Sequence, residues 1–387
     1  MAKKIREGTG PGVPQVVRQI NLHAVTHEMR GMEIFSKIDL VRKCGISPTT
    51  MAKLFAQLQD GGLIEPSEER DRSLGRPRDF YRLSTPLQIA AVAIGVEYTF
   101  VALSGLTGEP SPKYRVKFPT GNDFDRLFDR IEAELRRLTK ESGATCRLLG
   151  TCIPGLIDEE TGVSVMSPNL HMLEGGKPAI ELERRMGLPA FCMHDVRALC
   201  RAQRMDGEAL RDYVAMEFTV GVGMGAVVNG SFLRGADGFA GEIGHVVVDP
   251  EGRPCGCGNR GCLETRASDL VLQIETGRSL EEAFDRLAAG DPDVLAIADS
   301  IIRAQGHSVA VAINIFNPEK IYVHSWLAEK HPDYLSILTE EAGRLSMPHL
   351  FERCKIEKYR REILDGVVLE TVDRLIERVI LKKETIR

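Results

Sequence analysis

A chain of 387 residues with 43% hydrophobic and 27% charged residues has room for two or three domains with sizeable cores and the composition of an ordinary soluble globular protein. No apolar run approaches the ~18–20 residues of a membrane span, Met1–Glu7 carries no apolar signal segment, and nine cysteines, three of them clustered and the other six scattered, fit a reducing cytoplasm better than a secreted disulfide scaffold. The net charge of −5 is split: residues 1–84 hold 14 Lys and Arg against 10 Asp and Glu, a net of +4, and the rest hold 36 against 45, a net of −9, so the overall acidity does not exclude DNA binding by the first segment.

In chain order, Ser36–Gly45 followed by Ile46–Leu54 reads as helix, glycine turn, helix. Ser47 is a good N-cap and Pro48 a good first helical residue, and Met51, Leu54, Phe55 and Leu58 make a core-facing stripe at helical spacing. Thr49, Thr50 and Lys53 are left on the outer side of the first turns. With the capping Ser47 they form the candidate set for the major groove of a double-stranded DNA operator. Gly61 and Gly62 end the helix, Leu63 and Ile64 begin a strand, and Phe80–Leu83 returns antiparallel, which closes a winged helix-turn-helix; a short three-helix protein-interaction module is the alternative. Between the strands, Glu65–Asp79 contains Gly75-Arg76-Pro77-Arg78. This resembles the core of an AT-hook, with Arg76 and Arg78 placed for the minor groove, or else it is an extended charged linker.

The domain boundary is expected near Ser84-Thr85-Pro86, giving residues 1–84 and 85–387. Beyond it, Ala90–Ile94, Tyr98–Leu103, Leu148–Ile153, Val214–Phe218 and Ile321–Val323 read as core strands, and Phe124–Leu138 and Ile180–Met186 as helices, an α/β alternation. Val368, Val372, Leu375, Ile376 and Val379 recur at helical spacing, which predicts a helix that packs onto the first lobe or forms a dimer contact. His171 and His349 lack partners at metal-ligand spacing and read as structural or surface residues.

Cys255, Cys257 and Cys262 place three thiols within eight residues, and His245 lies ten residues upstream. Such a Cys3His set is what tetrahedral zinc prefers, and because protein ligands fill it, the metal is expected to be structural. The Cys-x-Cys spacing suits unstrained disulfides poorly. Glu242 and Glu264 flank the knot. With the second ring nitrogen of His245 they form a polar grip for vicinal sugar hydroxyls, or else both are solvated loop residues.

The stretch Glu242-Ile-Gly-His245 with Cys255-Gly-Cys-Gly-Asn-Arg-Gly-Cys-Leu-Glu264 resembles the signature of the ROK family of repressors, open reading frames and sugar kinases. Thr151–Asp158, Thr161-Gly162 and Ser167–Leu170 resemble its "PG-hydrophobic-D … TG … PNL" passage, and Leu188–Asp195 sits where the family carries "P-x-x-x-E-N-D". The resemblance implies an actin-like or hexokinase-like (ribonuclease H-like) pair of α/β lobes around a cleft. It also implies sugar contacts at Asn169, His194, Asp195, Glu242, His245 and Glu264, with His194 in place of the usual asparagine and Met193 in place of the usual glutamate.

The phosphate loops depart from the kinase pattern. Ala93–Glu97 stands where "D-x-G-G-T" is expected, Thr219–Gly223 where "G-T-G-x-G" is expected, and His324 and Ser325 where glycines near the adenosine are expected. Glu97 puts negative charge toward polyphosphate, Val96 crowds a close backbone approach, and only Asp195, the position of the kinase base, survives. The expectation is a cytoplasmic, zinc-containing, sugar- or sugar-phosphate-responsive regulator, most simply a repressor acting as a homodimer or dimer of dimers, with no catalytic residue and no membrane contact. Two alternatives stand beside it: a sugar kinase with an appended DNA-binding domain, and a DNA-binding protein with a vestigial cleft controlled by a protein partner.

Overall fold

Two serines start the short helices of the N-terminal unit. In the computed structural model, which describes residues 13–70, 79–204 and 210–382, α1 (Val13–Arg30) is followed by α2 (Lys37–Cys44) and α3 (Pro48–Asp60). Ser36 and Asp39 form a reciprocal capping box on α2, Gly45 ends that helix in the left-handed region at φ 64°, and Ser47 accepts the Thr50 amide at the start of α3. Met51, Leu54, Phe55 and Leu58 are buried as their spacing requires. α1 has no counterpart among the expected elements, although Leu22, Val25 and Met29 supply a buried stripe.

The strands β1 (Ile64–Arg70) and β2 (Asp79–Leu83) pair antiparallel, Ile64 opposite Leu83. β1 runs farther than expected, through Pro66 into the segment read as a connection, and the reason is local. Tyr81, opposite Pro66, exchanges both backbone hydrogen bonds with Phe35 at 2.9 Å, so this position asks no N–H of the proline. The Phe55 ring lies edge-on between Phe35 and Tyr81, at 6.2 and 4.7 Å between centroids. Arg76 and Arg78 lie outside the described residues.

The first lobe is built from β3 (Leu87–Ile94), β4 (Tyr98–Ser104), β5 (Pro110–Pro119), α4 (Phe124–Ser142), β6 (Thr145–Ile153), the hairpin β7 (Leu156–Asp158) and β8 (Val163–Met166), α5 (Pro178–Met186), β9 (Ala190–His194) and α6 (Asp195–Gln203). The second comprises β10 (Tyr213–Glu217), β11 (Gly223–Val228), β12 (Ser231–Phe232), α7 (Glu264–Ala267), α8 (Leu270–Thr276), α9 (Leu280–Ala288), α10 (Pro292–Phe316), β13 (Lys320–His324), α11 (Leu327–Lys330), α12 (Tyr334–Leu345), α13 (Pro348–Phe351) and β14 (Lys355–Lys358). Their sheets share one plan, β5-β4-β3-β6-β9 and β12-β11-β10-β13-β14, with an antiparallel meander on one side and parallel strands on the other. The segments that follow β3, β6, β9, β10 and β13 all face one cleft between the lobes, the usual place for a ligand at the carboxyl ends of parallel strands.

The last helix, α14 (Ile363–Lys382), carries the stripe Val368, Val372, Leu375, Ile376 and Val379, each buried. It packs on β3, β6 and α6 of the first lobe and also reaches α1 and α3. Val379 lies so close to Gly61 that a Cβ there would meet it at 2.1 Å, Arg18 donates to the Ile380 carbonyl at 3.1 Å, and His23 pairs with Glu377 at 3.0 Å.

A charge network runs across the same junction. Asp373 of α14 pairs with both Arg30 of α1 and Arg201 of α6. Glu370 pairs with Arg201 at 3.2 Å and with Arg197 at 3.0 Å, and Arg197 holds both oxygens of Glu159, which also receives Arg234 at 3.0 Å. Burial pushes the Glu370 and Asp373 carboxyls up, and the surrounding arginines more than offset it, leaving both below their ordinary values. No helix among the described residues is long and apolar enough to cross a membrane.

Candidate ligand cleft and metal centre

The chain between β12 and α7 folds into a knot of tight turns. The Cys255 amide donates to the Asn259 carbonyl at 2.8 Å and the Gly258 amide to the Cys255 carbonyl at 3.0 Å, while Val247 and Cys262 pair as an isolated bridge. Gly261, at φ 65°, lies so close to Asp249 that a Cβ would sit 1.4 Å from its carbonyl oxygen, so no other residue fits. These turns bring one ligand atom each of His245, Cys255, Cys257 and Cys262 within 4.8 Å of one another. The Cys257 and Cys262 sulfurs are 3.7 Å apart, and His245 Nδ1 is 3.6 Å from the Cys255 sulfur. A tetrahedral metal with bonds of about 2.3 Å to sulfur requires edges of about 3.8 Å. The four residues can therefore hold a metal ion, and none of the cysteines is in a disulfide.

With Nδ1 of His245 turned to the sulfurs, Nε2 faces the cleft, 3.9 Å from Glu242 Oε2. Glu264, the first residue of α7, is buried and accepts the Val222 amide at 3.0 Å, which ties the knot to the turn after β10. Gly221 permits that approach: a Cβ there would meet Glu264 Oε2 at 2.7 Å and Asn169 Nδ2 at 2.9 Å. From the first lobe, Asp195 opens α6 and accepts the Val196 amide at 2.7 Å, and His194 Nε2 lies 3.4 Å from Asp195 and 4.0 Å from Glu242. Asn169, His194, Asp195, Glu242, His245 and Glu264 thus line one cleft of about 1180 Å³. Burial pushes the Asp195 carboxyl well up, helped by Glu217 and Glu242, and burial pushes His194 down. Met193, by contrast, turns into the apolar core of the first lobe and is fully buried.

The other half of the cleft sets Glu217 and Tyr359, which the motifs did not single out, beside His324 and the two loops that they did. Glu217, the last residue of β10, accepts the Thr219 hydroxyl at 2.9 Å and lies 3.3 Å from Nδ1 of His324, the last residue of β13. Burial pushes Glu217 up, and the hydrogen bond and charge of His324, the Thr219 hydrogen bond and the charge of His194 together outweigh it, leaving the carboxyl below its ordinary value. The His324 ring stacks on Tyr359, 5.2 Å between centroids and 5° from parallel. Gly95–Glu97 and Thr219–Gly223 close the same space. The signal for Glu217 was its place at the end of a strand beside a cleft, and its partner stands 107 residues away.

On the surface of α3, Ser47, Thr49 and Lys53 are exposed and Thr50 half-buried, its hydroxyl 2.9 Å from that of Ser47. His171 is exposed beside Glu174, and His349 is exposed.

Comparison with known proteins agrees with this geometry. The chain is 26% identical to the DNA-binding transcriptional repressor Mlc of Escherichia coli (strain K12) over 377 residues, 90% of this chain and 91% of that one. A glucokinase of Thermotoga maritima is 31% identical over 233 residues, only 54% of this chain and 74% of the kinase. A solved ROK family transcriptional regulator, described as a homologue of the E. coli MLC protein, shares the fold at a TM-score of 0.77 and 24% identity, covering 95% of this chain and 98% of that one. The pattern of the ROK family matches residues 89–352, more than half of the chain, and the protein belongs to the ROK family.

Proposed function

We propose that the protein is a cytoplasmic, DNA-binding transcriptional repressor whose two-lobed cleft reads a sugar and whose His245–Cys255–Cys257–Cys262 knot holds one structural zinc ion. The observation that carries this reading is the likeness to a repressor over nine tenths of the chain, against about half for a kinase. Residues 1–84 are the DNA-reading unit, with Ser47, Thr49, Thr50 and Lys53 at the major groove and Arg76 and Arg78 in the minor groove. Residues 85–387 are the sugar domain, and a homodimer presents two reading units to a pseudo-symmetric operator.

Zinc would fix the ring of His245 and supply no chemistry, since four protein ligands fill it. Asn169, His194, Asp195, Glu242, His245 and Glu264 then grip the sugar hydroxyls. Asp195 is the first residue of α6, and α6 reaches α1 through Arg201 and Asp373. A sugar that binds one arrangement of the lobes better than another biases the position of the reading unit along that path. Fluorescence anisotropy with operators selected from a random DNA pool tests the reading. Nanomolar, salt-dependent binding that a sugar weakens is expected, and absence of DNA binding by metal-loaded protein would remove it.

A second reading keeps Asp195 as the base of a sugar kinase, favoured by the local identity to a glucokinase. Val96, Glu97 and Val220, where phosphate contacts would lie, support the regulator instead. Sugar-dependent ADP production lost on Asp195→Asn would restore the kinase.

A further inference from the structure

Among the described residues, the arginines Arg30, Arg197, Arg201, Arg234 and Arg374 and the carboxylates of Glu159, Glu370 and Asp373 form one connected set, drawn from both lobes and the N-terminal unit. Arg234 stands on the second lobe, at the head of the loop that leads to Glu242, and its carbonyl accepts the Ala240 amide at 3.1 Å. Glu159 lies in the turn of the β7–β8 hairpin, Arg197 and Arg201 follow Asp195 on α6, and Arg30 is the last residue of α1. Each carboxylate serves arginines on two sides. Glu159 Oε2 meets Arg234 at 3.0 Å and Arg197 at 2.8 Å. Glu370 gives Oε1 to Arg197 and Arg374, each at 3.0 Å, and Oε2 to Arg201 at 3.2 Å. Asp373 gives Oδ2 to Arg201 and Oδ1 to Arg30. The pairs run as a line from the second lobe to α1, with Arg374 as a branch.

Cations outnumber anions in this line, so they compete. A carboxylate that loses one arginine pulls harder on the other, and that arginine then slackens on its second carboxylate. The effect alternates in sign. Loss of Arg234 tightens Glu159 on Arg197, loosens Arg197 on Glu370, tightens Glu370 on Arg201, loosens Arg201 on Asp373 and tightens Asp373 on Arg30. The excess charge gives the same sign, because removing one arginine lessens the repulsion on the others. Most of the line is shielded from water: Arg30, Arg197, Arg201, Glu159, Glu370 and Asp373 expose only 10% to 19% of their side chains, where screening by salt is weak. Arg234, 52% exposed, is the end that can let go. At the other end, Arg30 Nε is buried without a hydrogen-bond partner among the described residues, so Asp373 is the carboxylate that holds this guanidinium.

We propose that this line is a sensor of lobe position with reversed sign: approach of the second lobe, which seats Arg234 on Glu159, loosens the end of α1, and its withdrawal tightens it. Glu159 is the positioning residue at which arginines of the two lobes meet. The end of α1 leads into the Ser36 cap of α2, so a change there reaches the pair α2 and α3. The device adds a direction to the regulation proposed above. Its test uses neither sugar nor DNA, so the two readings fail separately.

That test is native-state hydrogen exchange on the full, metal-loaded chain, comparing amides in the last turn of α1 with those of α4, a first-lobe helix that carries no member of the line. Arg234→Ala is expected to slow exchange at the end of α1 about 2-fold relative to α4, the scale of one half-exposed ion pair, and Arg234→Glu about 5-fold. Arg234→Lys, which keeps the charge, is expected to retain the parent rate. In an Arg201→Met background, where the line is cut, Arg234→Ala should leave α1 unchanged. If that double variant does not fold, Arg201→Lys takes the place of Arg201→Met, since a lysine keeps the charge and lacks the fork that spans Glu370 and Asp373. Faster exchange at α1 in Arg234→Ala, an equal change in α4, or no change at α1 in Arg234→Glu overturns the proposal and leaves an ordinary surface pair. Slowing that persists undiminished when the line is cut overturns it as well, since the signal then travels by another route.

Discussion

The two lobes share a sheet plan and differ in what they are fastened to. The first is fastened to the N-terminal unit: α14 lies across β3, β6 and α6 and continues to α1 and α3, with Asp373 joining Arg30 to Arg201. The second carries the His245–Cys262 knot that can hold a metal, and its ties to the first include the Arg234–Glu159 ion pair and the Tyr213 hydroxyl on the Cys200 carbonyl at 2.8 Å. One sheet plan has thus been used twice, once in a lobe joined to the N-terminal helices and once in a lobe that carries the His245–Cys262 knot. The contrast lies in the apolar seams and buried ion pairs at the edges, since the sheets themselves are alike.

Removing the metal should give the largest effect and should sharpen the contrast. Cys262→Ser, at a fully buried ligand, is expected to lose the zinc and destabilise the second lobe by about 5 kcal/mol or more, because metal binding energy is folding energy for such a knot. Metal analysis with hydrogen exchange checks this; equal loosening of α1–α3 would break the comparison. Next in size, Arg201→Met leaves Asp373 and Glu370 partly unpaired and is expected to cost about 3 kcal/mol. It should also uncouple DNA release from sugar while leaving sugar affinity unchanged, which titration with and without operator reads out.

Acid should act on the first lobe's seam. Glu370 and Asp373 lie below their ordinary values, so their stabilisation is complete above the unfolded carboxylate range of about pH 4–4.5 and is lost as pH falls through the lower folded values. Exchange profiles taken at falling pH should show the α14–α1 contact opening ahead of the β10–β13 sheet. The smallest effect is Arg234→Ala, about 0.5 kcal/mol for a half-exposed partner. A larger loss in thermal melts would mean that the lobes are locked rather than free to close.

What the sequence disclosed follows from distance along the chain. The knot was legible because its four ligands fall between His245 and Cys262, and Ser47 and Pro48 announced α3 through local capping. The strands were legible in their apolar middles and ran short at polar ends such as Thr145 and Lys320, where pairing with a neighbour, not composition, continues the strand. α1 escaped because it shows no acidic first turn to mark its start. Its apolar stripe contributes to a core shared with α14, from the other end of the chain. The Glu217–His324 pair escaped because parallel pairing of β10 with β13 brings it together across 107 residues. The stripe on α14 was legible as a helix face, and the N-terminal part of what it covers was not.

That helix sets an order of events for a chain made from its first residue onward. Arg18 and the Ile380 carbonyl it holds are 362 residues apart. At ~5–20 residues per second, Gly61 leaves the ribosome roughly 15–60 s before the Val379 side chain that covers it. Throughout that interval the N-terminal unit has its capped helices and its strand pair but lacks part of the wall of its core. The N-terminal unit is therefore synthesised well before the helix that completes its core. The helices of that unit are held in their final places only once α14 has emerged and packed against them.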